Sequence, residues 1–362
     1  MTQPITSHQI KRIFNKTLVL SLEYFPELAA YKILINLNPN EDRHILNYQI
    51  GILMDPIESI NPKKDSTFAM MLAAHGRSWH VSVFTQSDLI VENNEIYIKR
   101  RQVIPLDNVT SWFEVEMEDE VKANFFDVIL MRKDPPFDME YVYATYILEM
   151  IEKTGVPVIN RPRSIRDCNE KLFALSFPQC VPDHIVSKDK KKLSEFHAKH
   201  RDVIYKPLDG MGGASIFRAR EDEPNLSVII ETLTNHGRVQ TMAQKFIPEI
   251  VCGDTRILLI NGEAVPFGLA RIPSSGETRG NLAAGGSGVG RELTDRDRYI
   301  CKQMGPILRE KGLYFVGIDV IGNFLTEINV TCPTCIRELD NAFGLNIAGE
   351  FMQFIADEIL KI

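Results

Sequence analysis

The chain has 362 residues, 44% of them apolar and 25% charged, a globular balance that excludes collagen, coiled coil or wholesale disorder as the main architecture. At roughly 100–200 residues per domain it should hold two or three packed units. The formal charge is -7, from 41 basic against 48 acidic side chains, so it lacks the basic surplus of a nucleic-acid binder; no apolar run reaches the roughly 18 residues of a membrane span, and six cysteines are too sparse for a disulfide scaffold, which points to a reducing, cytoplasmic setting.

Residues 1–48 contain the turn cluster Asn36-Leu-Asn-Pro-Asn40 and no chemical patterning, and they read as an N-terminal extension without catalytic function. Gln49–Met54 is a short apolar run closed by Asp55-Pro56, the signal of a buried strand. Ser66–Gly76 has a helical pattern with Asp65 or Ser66 as cap, and Trp79–Phe84 alternates as a strand. Phe126–Met131 is another strand, Asp138–Thr154 a helix, and Pro157–Asn160 a strand. This alternation predicts a parallel α/β layer. Near residue 170 the pattern changes. Val203–Lys206 leads into a glycine-rich stretch before a short strand at Ser215–Arg218; Thr241–Ile247, Thr255–Ile260 and Glu263–Arg271 read as strands, the last two joined by an Asn261-Gly262 hairpin turn. Ser274–Gly290 is too rich in glycine to predict regular structure. A helix over Thr294–Lys311, strands over Tyr314–Ile321 and Phe324–Val330, and a closing helix to Ile362 complete the pattern. The lysine-rich run Lys188–Arg201 reads as a solvated helix face, because Asp189, Glu195 and Asp202 interleave.

Three groups of residues carry chemistry. Lys206-Pro-Leu-Asp-Gly210-Met-Gly212-Gly213 is a lysine followed by a flexible turn whose backbone N–H groups can approach phosphate oxygens; its spacing fits neither a Walker A loop nor a dinucleotide fingerprint. Asp319 lies one turn away from Glu327-Ile-Asn329, so two carboxylates and an amide oxygen share a hairpin face, a set suited to Mg²⁺ held jointly with substrate phosphates. Arg256, Arg271 and Arg279 supply forks for phosphate or carboxylate. A glycine-rich segment flanked by such strands reads as an active-site lid.

Lys-Pro-Leu-Asp-Gly-Met-Gly-Gly (206–213), Glu-Thr-Arg-Gly-Asn-Leu-Ala-Ala-Gly-Gly (277–286), Thr-Glu-Ile-Asn-Val-Thr (326–331) and Met-Arg-Lys-Asp-Pro-Pro-Phe-Asp (131–138) together resemble the prokaryotic glutathione synthetase family of ATP-grasp ligases, from about Gly51 to the C-terminus. The resemblance implies an α/β architecture: an N-terminal extension (1–48), a Rossmann-like parallel α/β substrate domain (49–168) and an ATP-grasp domain (169–362) with a central lobe to about 250 and a C-terminal lobe beyond. It implies ligation of γ-glutamylcysteine and glycine through an acyl phosphate, with ATP and Mg²⁺ (or Mn²⁺), by a homotetramer that engages neither nucleic acid nor membrane. Carried over by position, Lys171, Lys206 and the glycines Gly210, Gly212 and Gly213 would hold the ATP phosphates. Gln244, Lys245, Phe246 and Ile247 would read adenine, and Asp254 would approach the ribose. Asp319, Glu327 and Asn329 would hold the metal, Arg256 and Arg271 would stabilise the acyl phosphate and oxyanion, and the loop from Arg279 to Gly286 would close over them. Asp55 and Ser66 would contribute to the dipeptide site. The chain departs from the family pattern at Cys332, where serine is expected, at Lys245 and Phe246, and at Ser287, where arginine is expected. A lone Cys332-Pro-Thr-Cys335 carries neither a zinc nor a redox reading. Other carboxylate–amine ligases, and a non-catalytic ATP binder of the synapsin type, are the alternatives; the intact lysines and carboxylates argue against the binder.

Overall fold

A computed structural model describes residues 48–361 except 211, 278, 283 and 284; the expected extension lies outside the described residues apart from Tyr48. The first sheet contains β1 (Gln49–Leu53), β2 (His80–Phe84), β3 (Leu89–Glu92), β4 (Glu95–Pro105), β5 (Phe113–Lys122), β6 (Val128–Met131) and β7 (Val158–Ile159), in the order β3-β4-β2-β1-β6-β7 with β5 on the far side of β4. Only β2, β1, β6 and β7 run parallel. They are short and buried after their first residue, the Val-Ile-Leu-Met of β6 along its whole length, as strands covered on both faces must be. The layer is therefore mixed rather than purely parallel. The antiparallel β3–β5 extension lies outside the strands expected from sequence, although β5 reads Phe-Glu-Val-Glu-Met-Glu-Asp-Glu-Val-Lys, an apolar–charged alternation; it is mostly exposed. It is held by its long ladder to β4, from Tyr97↔Lys122 to Pro105↔Phe113. Helix α1 (Ser66–His75) starts where the Asp65 carboxylate accepts from Phe68 N at 2.6 Å, and α2 (Met139–Lys153) starts where Asp138 accepts from Tyr141 N at 2.9 Å, as N-caps should. Helix α3 (Pro162–Asp167) follows β7.

The second sheet is antiparallel, in the order β10-β9-β11-β8, with β8 (His184–Ser187), β9 (Val203–Pro207), β10 (Phe217–Ala219) and β11 (Thr241–Lys245). It packs on α4 (Lys190–His200) and α5 (Leu226–Leu233) through Leu193, Tyr205, Ile230 and Ala243. The third, also antiparallel, runs β14-β13-β12-β15-β16, with β12 (Asp254–Ile260), β13 (Glu263–Ile272), β14 (Ser287–Glu292), β15 (Phe315–Ile321) and β16 (Phe324–Asn329). Asn261 and Gly262 turn between β12 and β13 with φ of 49° and 74°, the left-handed pair such a turn requires. The end of the glycine-rich segment, expected to lack regular structure, is the start of β14, paired with β13 from Ile272↔Ser287 onward. Helix α6 (Asp295–Glu310) covers this sheet through Ile300, Met304 and Leu308, which meet Ile257, Val316 and Ile318. The chain closes with two helices rather than one, α7 (Ile336–Phe343) and α8 (Ile347–Phe354), separated at Gly344 with φ of 66°. Helix α8 joins the first sheet's core, Phe351 and Met352 meeting Phe68 and Met70.

Two side chains tie the first sheet to the third. Asn160, directly after β7, donates to Phe315 O (2.7 Å) and Val330 O (2.8 Å) and accepts from Tyr314 N (2.8 Å) and Phe315 N (2.9 Å). Arg132, just after β6 and 4% exposed, donates to Thr67 Oγ1 (3.1 Å) and Pro333 O (2.9 Å). Together they fix the loop 331–335 against the carboxyl ends of β1 and β6, where ligands gather in open α/β sheets.

Candidate active site

Period-two alternation sorts the third sheet into an apolar face and a charged one. On β12, Ile257 and Leu259 enter the core under α6, while Asp254 and Arg256 point the other way. Register then pairs the charges: Asp254 lies opposite Arg271 on β13, Arg256 opposite Asp319 on β15, and Asp319 opposite Glu327 on β16. Arg256 grips Asp319 with two bonds, Nε–Oδ1 at 2.6 Å and Nη2–Oδ2 at 3.1 Å. Arg271 Nη2 bridges Asp254 Oδ2 (2.5 Å) and Asp319 Oδ2 (3.0 Å). Burial works to raise the Asp319 carboxyl, but Arg256 and Arg271 outweigh it and hold it well below the usual carboxylate range. Asp254 goes the other way: burial, against the pull of Arg271, raises it to about 7, and its buried Oδ1 has no hydrogen-bond partner. Gly317 belongs to this arrangement, since a Cβ there would sit 2.7 Å from Pro333 Cβ and 3.0 Å from Arg256 Cδ.

The second sheet contributes Lys206, and the turn that precedes it in the chain contributes Lys171. Lys206 closes β9 and is almost wholly buried, with Nζ 3.7 Å from Glu327. Lys171 Nζ donates to Gly210 O at 2.8 Å, pairs with Glu170, and lies 3.6 Å from Glu327. Burial lowers Lys206. At Lys171 burial is overcome by Glu327 and Glu170, and the net shift is upward. Burial, reinforced by Glu327, brings Glu170 to about 7. Two adjoining cavities share this constellation. One is lined by Lys171, Lys206, Gly210, Gly212, Gly213, Gln244, Phe246, Ile247, Asp254, Arg279 and Glu327. The other, of about 220 Å³, is lined by Glu170, Gly212, Arg256, Arg271, Asp319, Glu327, Asn329 and the loop from Thr331 to Cys335, with Asp134 from the first sheet. Gly212 and Glu327 face both.

Most expected residues thus converge, but with different engagements. Lys245 is exposed and does not line either cavity, because Gln244 takes the inward position on β11. The N–H groups of Lys245 and Phe246 are spent on Asp183 O and Asp202 O, both at 2.9 Å. Phe246 lies under the Arg218 guanidinium at 3.5 Å, itself held by Asp202. Arg279 Nη1 donates to Gly213 O at 3.1 Å, linking the two glycine loops. In the first domain, the Ser66 hydroxyl accepts from Ile336 N (3.2 Å) and is buried, while Asp55 pairs with Lys133 at 2.8 Å; neither opens onto the cavity that holds Arg256. Cys332 lies 3.9 Å from Thr67 Oγ1 and Cys335 3.8 Å from Thr334 Oγ1, and burial pushes both thiols up. Glu170, Arg132 and Asp134 were not found from sequence; Glu170 is adjacent to Lys171, and Asp134 sits inside the 131–138 motif.

Among the described residues no three His, Cys, Asp or Glu side chains form a metal-binding group by themselves. Two carboxylates, Asp319 and Glu327, with the Asn329 amide are on hand, and Asn329 Nδ2 donates to Asp319 Oδ2 at 3.3 Å, leaving its oxygen as an acceptor. That donor set fits Mg²⁺, which keeps few protein ligands and completes its shell with water and phosphate oxygens.

Two antiparallel sheets that meet across a buried lysine pair and a glycine turn define an ATP-grasp ligase. Solved structures agree on the fold: D-cycloserine synthetase DcsG superposes with a TM-score of 0.60 at 14% identity, over 86% of this chain and 100% of that one. A RiPP-associated ATP-grasp ligase of Chryseobacterium gregarium superposes with a TM-score of 0.59 at 15% identity, over 86% and 97%. The family profile "Prokaryotic glutathione synthetase, ATP-grasp domain" matches residues 170–344, and the profile of the N-terminal domain of the same family matches 48–166. Curated glutathione synthetases are similar over nearly their full length: that of Pseudomonas aeruginosa is 56% identical across 87% of this chain and 99% of its own, and that of Vibrio cholerae 54% identical across 85% and 96%. The chain belongs to the prokaryotic glutathione synthetase family, whose ATP-grasp architecture implies ATP- and Mg²⁺-dependent ligation.

Proposed function

We propose that the protein joins γ-glutamylcysteine to glycine, releasing ADP and phosphate. The observation that carries this reading is the Asp254–Arg271–Asp319–Arg256 chain of charges, whose Arg271, Asp319 and Arg256 line a 220 Å³ cavity that shares Gly212 and Glu327 with the cavity lined by Lys171, Lys206 and the glycine turn. A carboxylate is a poor electrophile; transfer of the γ-phosphoryl group of ATP onto the cysteinyl carboxylate turns one oxygen into a leaving group. The glycine nitrogen, once its ammonium has lost a proton to solvent, attacks the carbonyl carbon; the nitrogen gives up a second proton, the tetrahedral oxyanion collapses, the C–O bond to phosphate breaks, and the peptide bond remains.

Each group of residues has a part in this sequence. Lys171 and Lys206 neutralise the nucleotide phosphates, and the turn at Gly210, Gly212 and Gly213 brings backbone N–H groups to them, with Gly212 and Gly213 at φ of 62° and 81°. Gln244, Phe246 and Ile247 receive the base. Arg256 and Arg271, held rigid by Asp319 and Asp254, face the charge that develops on the acyl phosphate and the oxyanion; such pre-aimed donors supply much of the rate. Arg279 and its loop exclude water, which would hydrolyse the intermediate. Asp319, Glu327 and Asn329 would hold Mg²⁺, which supplies further neutralisation of phosphate charge. The test is ADP release with γ-glutamylcysteine plus glycine against other carboxylate–amine pairs. Turnover confined to those two substrates supports the reading, and faster turnover with D-alanine or a protein glutamate tail refutes it.

A further inference from the structure

The 220 Å³ cavity has an uneven balance of charge along its walls. Four carboxylates line it. Asp319 is taken by Arg256 and Arg271, Glu327 faces Lys171 and Lys206, and Glu170 is paired with Lys171. Asp134 differs. It follows β6, is exposed at the open edge of the cavity, and its carboxylate has no ion-pair partner among the described residues. The cations beside it in sequence do not pair with its carboxylate: Lys133 Nζ pairs with Asp55 Oδ1 at 2.8 Å and donates to the backbone oxygen of Asp134 at 2.7 Å, and Arg132 is spent on Thr67 Oγ1 and Pro333 O. Its backbone is fixed by the bond from Asp134 N to Asp55 Oδ2, 3.0 Å.

The inference rests on the ligase reading above. Both organic substrates in that reading are amino acids with an α-ammonium group. The cations that line this cavity are Arg256 and Arg271, both engaged by Asp319, so of its four carboxylates Asp134 is the one left without a counter-ion among the described residues. An ammonium group entering there pairs best with a carboxylate that the protein has not already neutralised. We propose that the Asp134 carboxylate anchors the α-ammonium group of an amino-acid substrate at the mouth of the ligation cavity. The backbone that carries it is held from behind by Asp55, so the carboxylate starts from a fixed point at the cavity edge.

The experiment compares the intact enzyme with Asp134→Asn and Asp134→Glu, measuring KM separately for glycine, dipeptide and ATP. Turnover of γ-glutamylcysteine with glycine by the unmodified protein comes first; its failure would count against the ligase reading and not against the anchor. Asp134→Asn keeps size and loses charge. It should raise the KM of one amino-acid substrate about 10- to 100-fold, the range for losing a hydrogen bond to a charged group, with the KM for ATP and the saturated kcat within a few-fold. Asp134→Glu should restore part of the loss. A rise confined to glycine identifies its ammonium as the anchored group. A rise confined to the dipeptide identifies the γ-glutamyl ammonium, and the preference for γ-glutamylcysteine over glutaryl-cysteine, which lacks that ammonium, should then collapse in the variant. Unchanged KM for both substrates in Asp134→Asn, or a fall in kcat alone, overturns the proposal.

Discussion

The loop between β13 and β14 gives the sharpest test of how the site closes. Gly280 lies on the edge of the β12–β13 ladder: a Cβ there would run into the Arg271 carbonyl oxygen and stand 2.9 Å from Asp254 Cβ. Neither neighbour can move away, because both belong to paired strands whose side chains hold each other. Gly280→Ala therefore strains only the docked loop. Overpacking of this kind costs about 1–3 kcal/mol, which the loop escapes by lifting, and at 1.4 kcal/mol per factor of ten the docked fraction falls roughly 5- to 150-fold. With it goes the bond from Arg279 to Gly213 O. Ligation measured as glutathione formed should drop by that factor, while ADP formed per glutathione should rise, because water gains access to the acyl phosphate. The melting temperature should stay near wild type, and Ser275→Ala, on the same loop, should be silent. Wild-type rate and coupling in Gly280→Ala would refute the idea that this loop closes by seating on Asp254 and Arg271.

Three further substitutions probe the charges and the junction behind them. Glu327→Gln should lower turnover about 10²- to 10³-fold, as expected for a group acting mostly in the transition state, and weaken the Mg²⁺-dependent part of ATP binding while leaving metal-free binding alone; near wild-type turnover at low Mg²⁺ would remove it from the metal site. Asp254, raised by burial to about 7, keeps a proton in the folded chain where the unfolded chain, with a carboxyl near 4, has lost it. Its contribution to stability is therefore complete at low pH and lost as pH climbs from about 4 through 7. Asp254→Asn should come closest to wild-type stability near pH 4 and gain on it up to about pH 7, by a few kcal/mol at most; a constant difference across that range would contradict the shift. Asn160→Ala strands two carbonyls and two N–H groups at Phe315, Val330 and Tyr314 and should cost about 3–5 kcal/mol in denaturant titration; a loss under about 1 kcal/mol would mean that water replaces the amide.

What the sequence showed and what it hid follow from how local each feature is. The start of α1 and the β12–β13 turn were legible because an Asp cap and an Asn-Gly pair act within four residues. The third sheet's carboxylates and arginines were legible as residue types, since charges placed among Val, Ile and Leu stand out. Their partners were not: Arg256 meets Asp319 and Arg271 meets Asp254 because strands 63 and 17 residues apart fall into one register, and no periodicity in a single strand reports that. In β5 the local signal is present, since Phe113, Val115, Met117 and Val121 alternate with charged residues, and what a single strand does not report is that β4 is its partner. The outward turn of the Lys245 side chain has a simpler reason. A motif carries four hinge residues as a block, whereas a strand turns alternate ones outward, and Lys245 is on the outward set.

The charged face is hard to explain as a source of stability. Asp254, Asp319, Glu327 and Glu170 meet Lys171, Lys206, Arg256 and Arg271 in a region where most of them are nearly or fully shielded from water. Burying such groups costs several kcal/mol per ion, and apolar replacements of similar volume are often as stable or more so. The fold offsets that cost on the opposite faces of the same strands, where Ile257, Leu259, Val316, Ile318 and Ile328 pack beneath α6. It also spends side-chain volume to keep the charges in place: Gly317 leaves room for Arg256 to lie against its strand. A face that weakens the core yet is held to this accuracy is accounted for by catalysis, because the same fixed charges that destabilise the empty site are already oriented when phosphate and oxyanion charge arrives.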